Sequence, residues 1–293
     1  MTKLARILLN FLATIFFVSN KELFIRKNGL KLLKFVLLIY SYTPFKKNNI
    51  FFKIARSDKF EQYSDLYNLI SVLISQDKKL NILEIGIGGH DKEFSGGNSI
   101  LALKYMYKNS KIIGLDFENK KFLEDSRIKI FQGDQSKIDD LNNIVKQYDN
   151  FDIIIDDGSH FVNHQFASFE FLFKYLNDGG LYIIEDIQGS YAKSMNGDPE
   201  LAYEKNLVTF FSHYTHCTNS RFIIKKLEKK FEKYSNFNKL FFVENAILIQ
   251  KNSKNISKKY PEDELYLSLE EMNTKKKRIK DVSGVIKQNI NNR

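Results

Sequence analysis

The sequence predicts an α/β protein built on a mostly parallel, doubly wound sheet that ends in an antiparallel hairpin. Short Ile-rich runs that end in glycine or a carboxylate alternate with stretches of helical length and period, the pattern of parallel βαβ units. A last pair of apolar runs, 239–242 and 246–250, flanks Val243-Glu244-Asn245 and reads as the hairpin. In order, the strands are expected at 81–86 (NILEIG), 111–116 (KIIGLD), 127–133 (RIKIFQG), 151–157 (FDIIIDD) and 180–186 (GLYIIED). Each is too short for a helix and rich in Ile, as suits strands covered on both faces. Helices are expected over 99–107, 137–148 and 164–176.

The flanks differ from this core. Residues 1–60 carry 12 Lys/Arg against 2 Asp/Glu, 61–250 carry 22 against 27, and the remainder carry 11 against 6. The net charge of +10 therefore resides at the two ends, and the mildly acidic middle argues against a nucleic-acid enzyme, because a phosphate backbone would be repelled from it. Three segments follow: a basic, apolar, helical segment over 1–60, a domain over 61–252 and a charged helix or tail over 253–293. The apolar runs Ile7–Val18 and Leu30–Tyr40 are both too short to span a bilayer, which needs roughly 20 apolar residues. A signal peptide is disfavoured because Val18-Ser19-Asn20 offers no small-x-small cleavage site. The expectation is an amphipathic helical pair packed on the body or, as the alternative, residues 1–50 in peripheral contact with an anionic membrane surface. The single cysteine, Cys217, excludes an internal disulfide and fits a reducing compartment, so the expected location is the cytoplasm, at the inner face of the membrane. With 43% hydrophobic residues, 26 Phe and 15 Tyr, the chain can bury a large core, which excludes wholesale disorder.

In a doubly wound sheet, ligands sit beyond the carboxyl ends of the strands. The first strand runs into Glu84-Ile85-Gly86-Ile87-Gly88-Gly89-His90, with Gly96-Gly97 following. Such a turn lets backbone approach a cofactor closely, but Asp91 stands where a dinucleotide fingerprint needs its third glycine. Asp116 ends the second strand, where a carboxylate can accept both hydroxyls of a ribose. Asp134 or Gln135, after the third, can meet an adenine edge. Two acids with no phosphate-binding lysine suit a nucleoside cofactor that carries no phosphates.

With E-x-G-x-G, the Asp ending the second strand and GDQ, the chain is similar to the class I S-adenosylmethionine-dependent methyltransferases. The further combination IGIGGH, GLD, QGDQ, IDDGSH and YIIEDIQGSY resembles the macrocin and mycinamicin sugar O-methyltransferases of macrolide biosynthesis, over residues 80–192. The resemblance implies a Rossmann-like methyltransferase fold, S-adenosyl-L-methionine as donor, Mg2+ or another divalent cation, a sugar acceptor and a homo-oligomer. By position, Glu84, Ile85, Gly86, Ile87, Gly88, Gly89, His90 and Ser99 would line the amino-acid side and ribose of the donor. Asp116 would hold the ribose hydroxyls, and Gly133, Asp134 and Gln135 would border the adenine. Asp157, also counted with the cofactor residues, would bind the metal with Glu185 and Asp186, and His160 would be the general base.

The chemistry agrees with this assignment. A sugar hydroxyl is too weak an acid to ionise at neutral pH. Hard carboxylates from two neighbouring strand ends can hold one oxygen-liking cation, with places left for two vicinal hydroxyls of the acceptor. Strand alternation turns Asp156 away from Asp157. His164 reads as support or helix surface, and Tyr191 as acceptor contact or packing. The expected function is metal-dependent O-methylation of a sugar hydroxyl on a glycan or glycosylated natural product. The alternatives are a catechol-type small-molecule O-methyltransferase on the same fold and a non-catalytic S-adenosylmethionine-binding protein.

Overall fold

A computed structural model of the protein describes residues 21–42, 48–89, 95–222 and 229–252. The first apolar run, His90 and the charged tail 253–293 lie outside them. The basic segment forms helix α1 (Lys21–Ser41) and α2 (Asn48–Ala55), followed by the single turn α3 (Lys59–Gln62) and α4 (Ser64–Leu73). The sheet then alternates with helices as its pattern predicts: β1 (Asn81–Ile85), α5 (Asn98–Met106), β2 (Lys111–Asp116), β3 (Ile128–Gln132), α6 (Ile138–Val145), β4 (Phe151–Asp156), α7 (Val162–Leu172) and β5 (Leu176–Glu185). Helix α8 (Leu207–His213) precedes the hairpin of β6 (Phe237–Val243) and β7 (Ala246–Lys251).

Among the described residues the sheet has seven strands in the order β3-β2-β1-β4-β5-β7-β6. The first five run parallel, and β7 inserts antiparallel between β5 and β6. The chain winds outward from β1 to β3 and then returns to start β4 on the other side of β1, so the winding reverses between β1 and β4. Ile85 pairs with Asp156, and Asp156 with Ile184. That register brings the ends of β1, β4 and β5 to one level, which is what gathers the acidic residues.

Strand β5 begins four residues earlier than its apolar run suggests. Leu176 pairs with Phe151 before a register shift, and the polar Asn177-Asp178-Gly179 stretch is carried by that irregularity, with Gly179 at φ 77°. Both faces of the sheet are covered, which explains the unbroken Ile runs. On one face Ile82, Ile112, Ile153 and Ile183 share a core with Phe51, Phe52 and Ile100. On the other, the ring of Phe169 packs against Tyr182 and Phe211 at centroid distances of 5.1 and 5.0 Å.

The boundary expected at residue 60 falls inside this core: the rings of Phe52 and Tyr67 lie 4.5 Å apart. Described residues up to Thr215 and from Phe237 onward form one compact unit, and 216–222 with 229–236 belong to a second. In the latter Cys217 is buried, its Sγ 3.8 Å from the Phe231 carbonyl. No described helix is long and apolar enough to cross a membrane.

Candidate active site

The loop after β1 is shaped by glycine. Gly86 (φ 77°) and Gly88 (φ 67°) both take left-handed backbone. A Cβ at Gly86 would collide with the Asp157 carbonyl, whereas one at Gly88 would meet nothing within 4 Å. The first glycine thus lets the β1 loop touch the β4 loop, and the second leaves open space. Ile85 and Ile87 point into the core. The Ile87 carbonyl accepts from Gly97 N at 2.6 Å, which closes the loop onto α5, where Ser99 is buried in the first turn. A Cβ at Gly89 would collide with Gly96 N, and one at Gly96 with the Gly88 carbonyl.

Asp116, at the end of β2, accepts from Ile87 N (2.9 Å) and Glu118 N (2.8 Å), which fixes its carboxylate beside the Gly88 opening. Glu84 is fully buried; no hydrogen bond of ordinary geometry reaches its oxygens, and Lys59 Nζ stands 3.4 Å from Oε1. Burial pushes the Glu84 carboxyl up to about 7, against the pull of Lys59. A buried acid left this poorly paired fits the ammonium group of an amino-acid-bearing cofactor.

Beyond β3 the residues expected at an adenine divide. Gly133 packs against Asp140, and Asp134 accepts from Ser136 N and Oγ at 2.9 and 2.7 Å, at the rim. Gln135 instead turns inward. Its Nε2 donates to Asp156 Oδ1 (3.0 Å) and its Oε1 accepts from Ser159 N (2.6 Å), so both ends of the amide hold the loop that carries His160. Asp156 faces away from Asp157, as alternation requires, and also accepts from Ser168. Burial raises its carboxyl to about 7, although these hydrogen bonds oppose the shift.

Past β4 and β5, one ligand atom each of Asp157, His160 and Asp186 lies within 4.8 Å of the others, the one such metal-competent group among the described residues. His160 Nε2 is 3.5 Å from Asp186 Oδ2, and its Nδ1 is buried without a hydrogen-bond partner. Asp186 Oδ1 accepts from Tyr63 Oη and Asn245 Nδ2, both at 2.7 Å. Burial and the Asp186 carboxylate hold the Tyr63 phenol far above its ordinary range.

Glu185, expected as the third metal carboxylate, faces the same buried ammonium as Asp157 and lies outside the group whose ligand atoms converge within 4.8 Å. It pairs with the buried Lys59 ammonium and accepts from Tyr67 Oη at 2.6 Å. Burial raises its carboxyl to about 8, with Lys59 opposing. Lys59 Nζ also lies 2.7 Å from Asp157 Oδ2. Burial alone would lower the lysine pKa, but Asp157 and Glu185 hold it well above the ordinary value. Asp157 and Asp186, two hard carboxylates with His160 beside them, fit an oxygen-preferring divalent cation that keeps several positions for water or substrate.

Lys59, Tyr63, Tyr67 and Asn245 are absent from the sequence expectation. The spacing of four from Lys59 to Tyr63 to Tyr67 is the signal that would have pointed to one helical face. Asn245 offers none.

The sheet order, the glycine cradle after β1 and the acid at the end of β2 are those of the Rossmann-like, S-adenosylmethionine-dependent methyltransferase fold. No family model matches the chain. It is 37% identical over 146 residues to demethylmacrocin O-methyltransferase of Streptomyces fradiae and 36% identical over 146 residues to mycinamicin VI 2''-O-methyltransferase of Micromonospora griseorubida. Each match covers 47% of this chain and 37% of the relative, so the chain spans well under two thirds of these curated relatives. Among solved structures it resembles the MycE methyltransferase of the mycinamycin biosynthetic pathway in complex with Mg, SAH and mycinamycin VI. The TM-score is 0.65 at 25% identity, over 74% of this chain and 57% of that one. A crystal form with Mg and SAH gives 0.66 at 26% identity.

Proposed function

We propose that the chain is a divalent-metal-dependent O-methyltransferase that moves a methyl group from S-adenosylmethionine to a sugar hydroxyl of a glycan or glycosylated natural product. The observation that carries this reading is the convergence of Asp157, His160 and Asp186 next to the Gly86–Gly88 cradle. The names of the relatives favour a glycosylated acceptor over a catechol.

In this reading Glu84 receives the donor's ammonium, and the Gly86–Gly89 backbone with Ser99 lines the donor's amino-acid side. Asp116 accepts from the ribose hydroxyls, while Gly133 and Asp134 border the adenine. Asp157 and Asp186 hold the cation, whose Lewis acidity makes a nearby hydroxyl easier to ionise. His160 takes the hydroxyl proton at Nε2 as the oxygen attacks the sulfonium methyl carbon. The C–S bond breaks, S-adenosylhomocysteine leaves, and the imidazolium formed is stabilised by Asp186.

The basic segment is assigned to peripheral contact with an anionic membrane. On α1, Phe35 is 58% exposed, and Val36, Leu38 and Ile39 join it with Tyr42 just past the helix end, whereas Leu37 is sunk in the core with Leu30, Leu33 and Tyr40 packed beside it. Flotation with anionic vesicles at low salt tests it, and a second copy of the chain on the same face would appear instead as a dimer in light scattering. For the catalytic reading, purified chain is given S-adenosylmethionine, Mg2+ and glycosylated acceptors, and release of S-adenosylhomocysteine is followed. Glycans from a deletion strain should each be lighter by one CH2 unit per methylation site. Tight binding of a nicotinamide cofactor without binding of S-adenosylhomocysteine would overturn the reading.

A further inference from the structure

The two-residue turn Glu244-Asn245 joins β6 to β7 and is remote in sequence from every strand end that carries the site. Yet Asn245 meets the loop after β5 three times. Its backbone carbonyl accepts from Ile187 N (3.2 Å), its Oδ1 accepts from Gln188 N (2.9 Å) and its Nδ2 donates to Asp186 Oδ1 (2.7 Å). These contacts fix the orientation of the amide, because the Gln188 N–H requires an acceptor at Oδ1 and so directs Nδ2 at the carboxylate. Tyr63 Oη reaches the same Asp186 oxygen at 2.7 Å and is itself 3.1 Å from Asn245 Nδ2. Asp186 thus has one oxygen held by two donors and the other, Oδ2, turned toward His160.

We infer that Asn245 is a positioning residue for the reaction: with Tyr63 it locks the Asp186 carboxylate so that one oxygen remains aimed at the His160 corner. The inference rests on the methyltransferase reading above. Asn245 has φ 61°, a conformation in which glycine is the least strained residue and asparagine the next best tolerated. A turn selected for shape alone is served by glycine. The asparagine in its place supplies a donor and an acceptor that this loop uses.

That conformation also provides a clean test, since Asn245→Gly removes the amide and leaves the turn its preferred backbone. In the full chain, Mn2+ affinity by electron paramagnetic resonance and kcat should each fall by roughly ten- to hundredfold, the usual effect of removing a group that orients a metal ligand. Affinity for S-adenosylhomocysteine should stay unchanged, and the melting temperature without ligands should fall only by the few degrees that the lost hydrogen bonds cost. Asn245→Asp, which places a carboxylate oxygen against Asp186 Oδ1, should cost more than Asn245→Gly. Tyr63→Phe should mimic Asn245→Gly with a smaller loss. Wild-type kcat and Mn2+ affinity in Asn245→Gly would overturn the inference alone. A wild-type chain that binds no Mn2+ or transfers no methyl group overturns the functional reading and the inference with it, and is seen before any variant is measured.

Discussion

His160 Nε2 lies 3.5 Å from Asp186 Oδ2, and both residues hold left-handed backbone, at φ 60° and 53°. Neither is glycine, so each conformation is strained and persists because its surroundings impose it. The His160 loop is clamped by Gln135, and Gly189 packs so close to the His160 carbonyl that a Cβ there would collide with it. Asp186 is pinned by Tyr63 and Asn245.

The base and the cation-binding acids should separate kinetically. In His160→Ala, S-adenosylhomocysteine and Mn2+ binding by calorimetry should survive while kcat drops roughly hundred- to ten-thousandfold, with partial recovery at higher pH as hydroxide takes the proton. Asp186→Asn should instead lose Mn2+ affinity. Full turnover of a metal-stripped preparation in EDTA would remove the cation from the mechanism.

Two glycines two residues apart should fail differently. Gly86→Ala forces a Cβ into the Asp157 carbonyl and should lower the melting temperature markedly. Gly88→Ala meets open space and should cost only about 1–2 kcal/mol of left-handed strain. Its methyl group projects into the donor cradle, so affinity for S-adenosylhomocysteine should fall in an isothermal titration.

Lys59→Met should be among the most damaging single changes. The ammonium faces Glu84, Asp157 and Glu185, and its removal leaves buried carboxylates without their cation, a loss of about 3–5 kcal/mol. Urea denaturation of the variant against wild type measures it, and Lys59→Arg should lose less.

Asp156 predicts the pH dependence of stability. Its carboxyl titrates near 7 in the fold against 3.8 for an exposed aspartate, so between those values the native state holds a proton that the unfolded state has released. Stability should therefore fall as pH rises from 4 toward 7, by up to about 1.4 kcal/mol per unit from this group, and then level off. Denaturant midpoints across that range should be flatter in Asp156→Asn, which keeps an acceptor for Gln135 or Ser168.

What the sequence disclosed and what it withheld follow from distance along the chain. Runs such as Ile153-Ile154-Ile155 leave little choice but a buried strand, and the carboxylates that end those strands were legible because the fold class dictates where strand ends lie. Lys59 was hidden because it sits 98 residues from Asp157 and 126 from Glu185 on a helix whose charge pattern looks like surface. The inward turn of Gln135 depends on a loop conformation that no periodicity encodes. Glu185 and Asp186 read alike as acids, but their separate partners arrive from α3, α4 and the hairpin.

The position of β7 between β5 and β6 bears on how the chain is made. A ribosome delivers β5 well before β7, so the edge formed by Leu181 to Glu185 stays open while some sixty further residues emerge. During that interval the apolar rim of the growing sheet is a template for pairing with another nascent chain. Arrival of β7 caps the rim, and Asn245 enters on the same hairpin, so the step that ends this vulnerability also completes the pinning of Asp186.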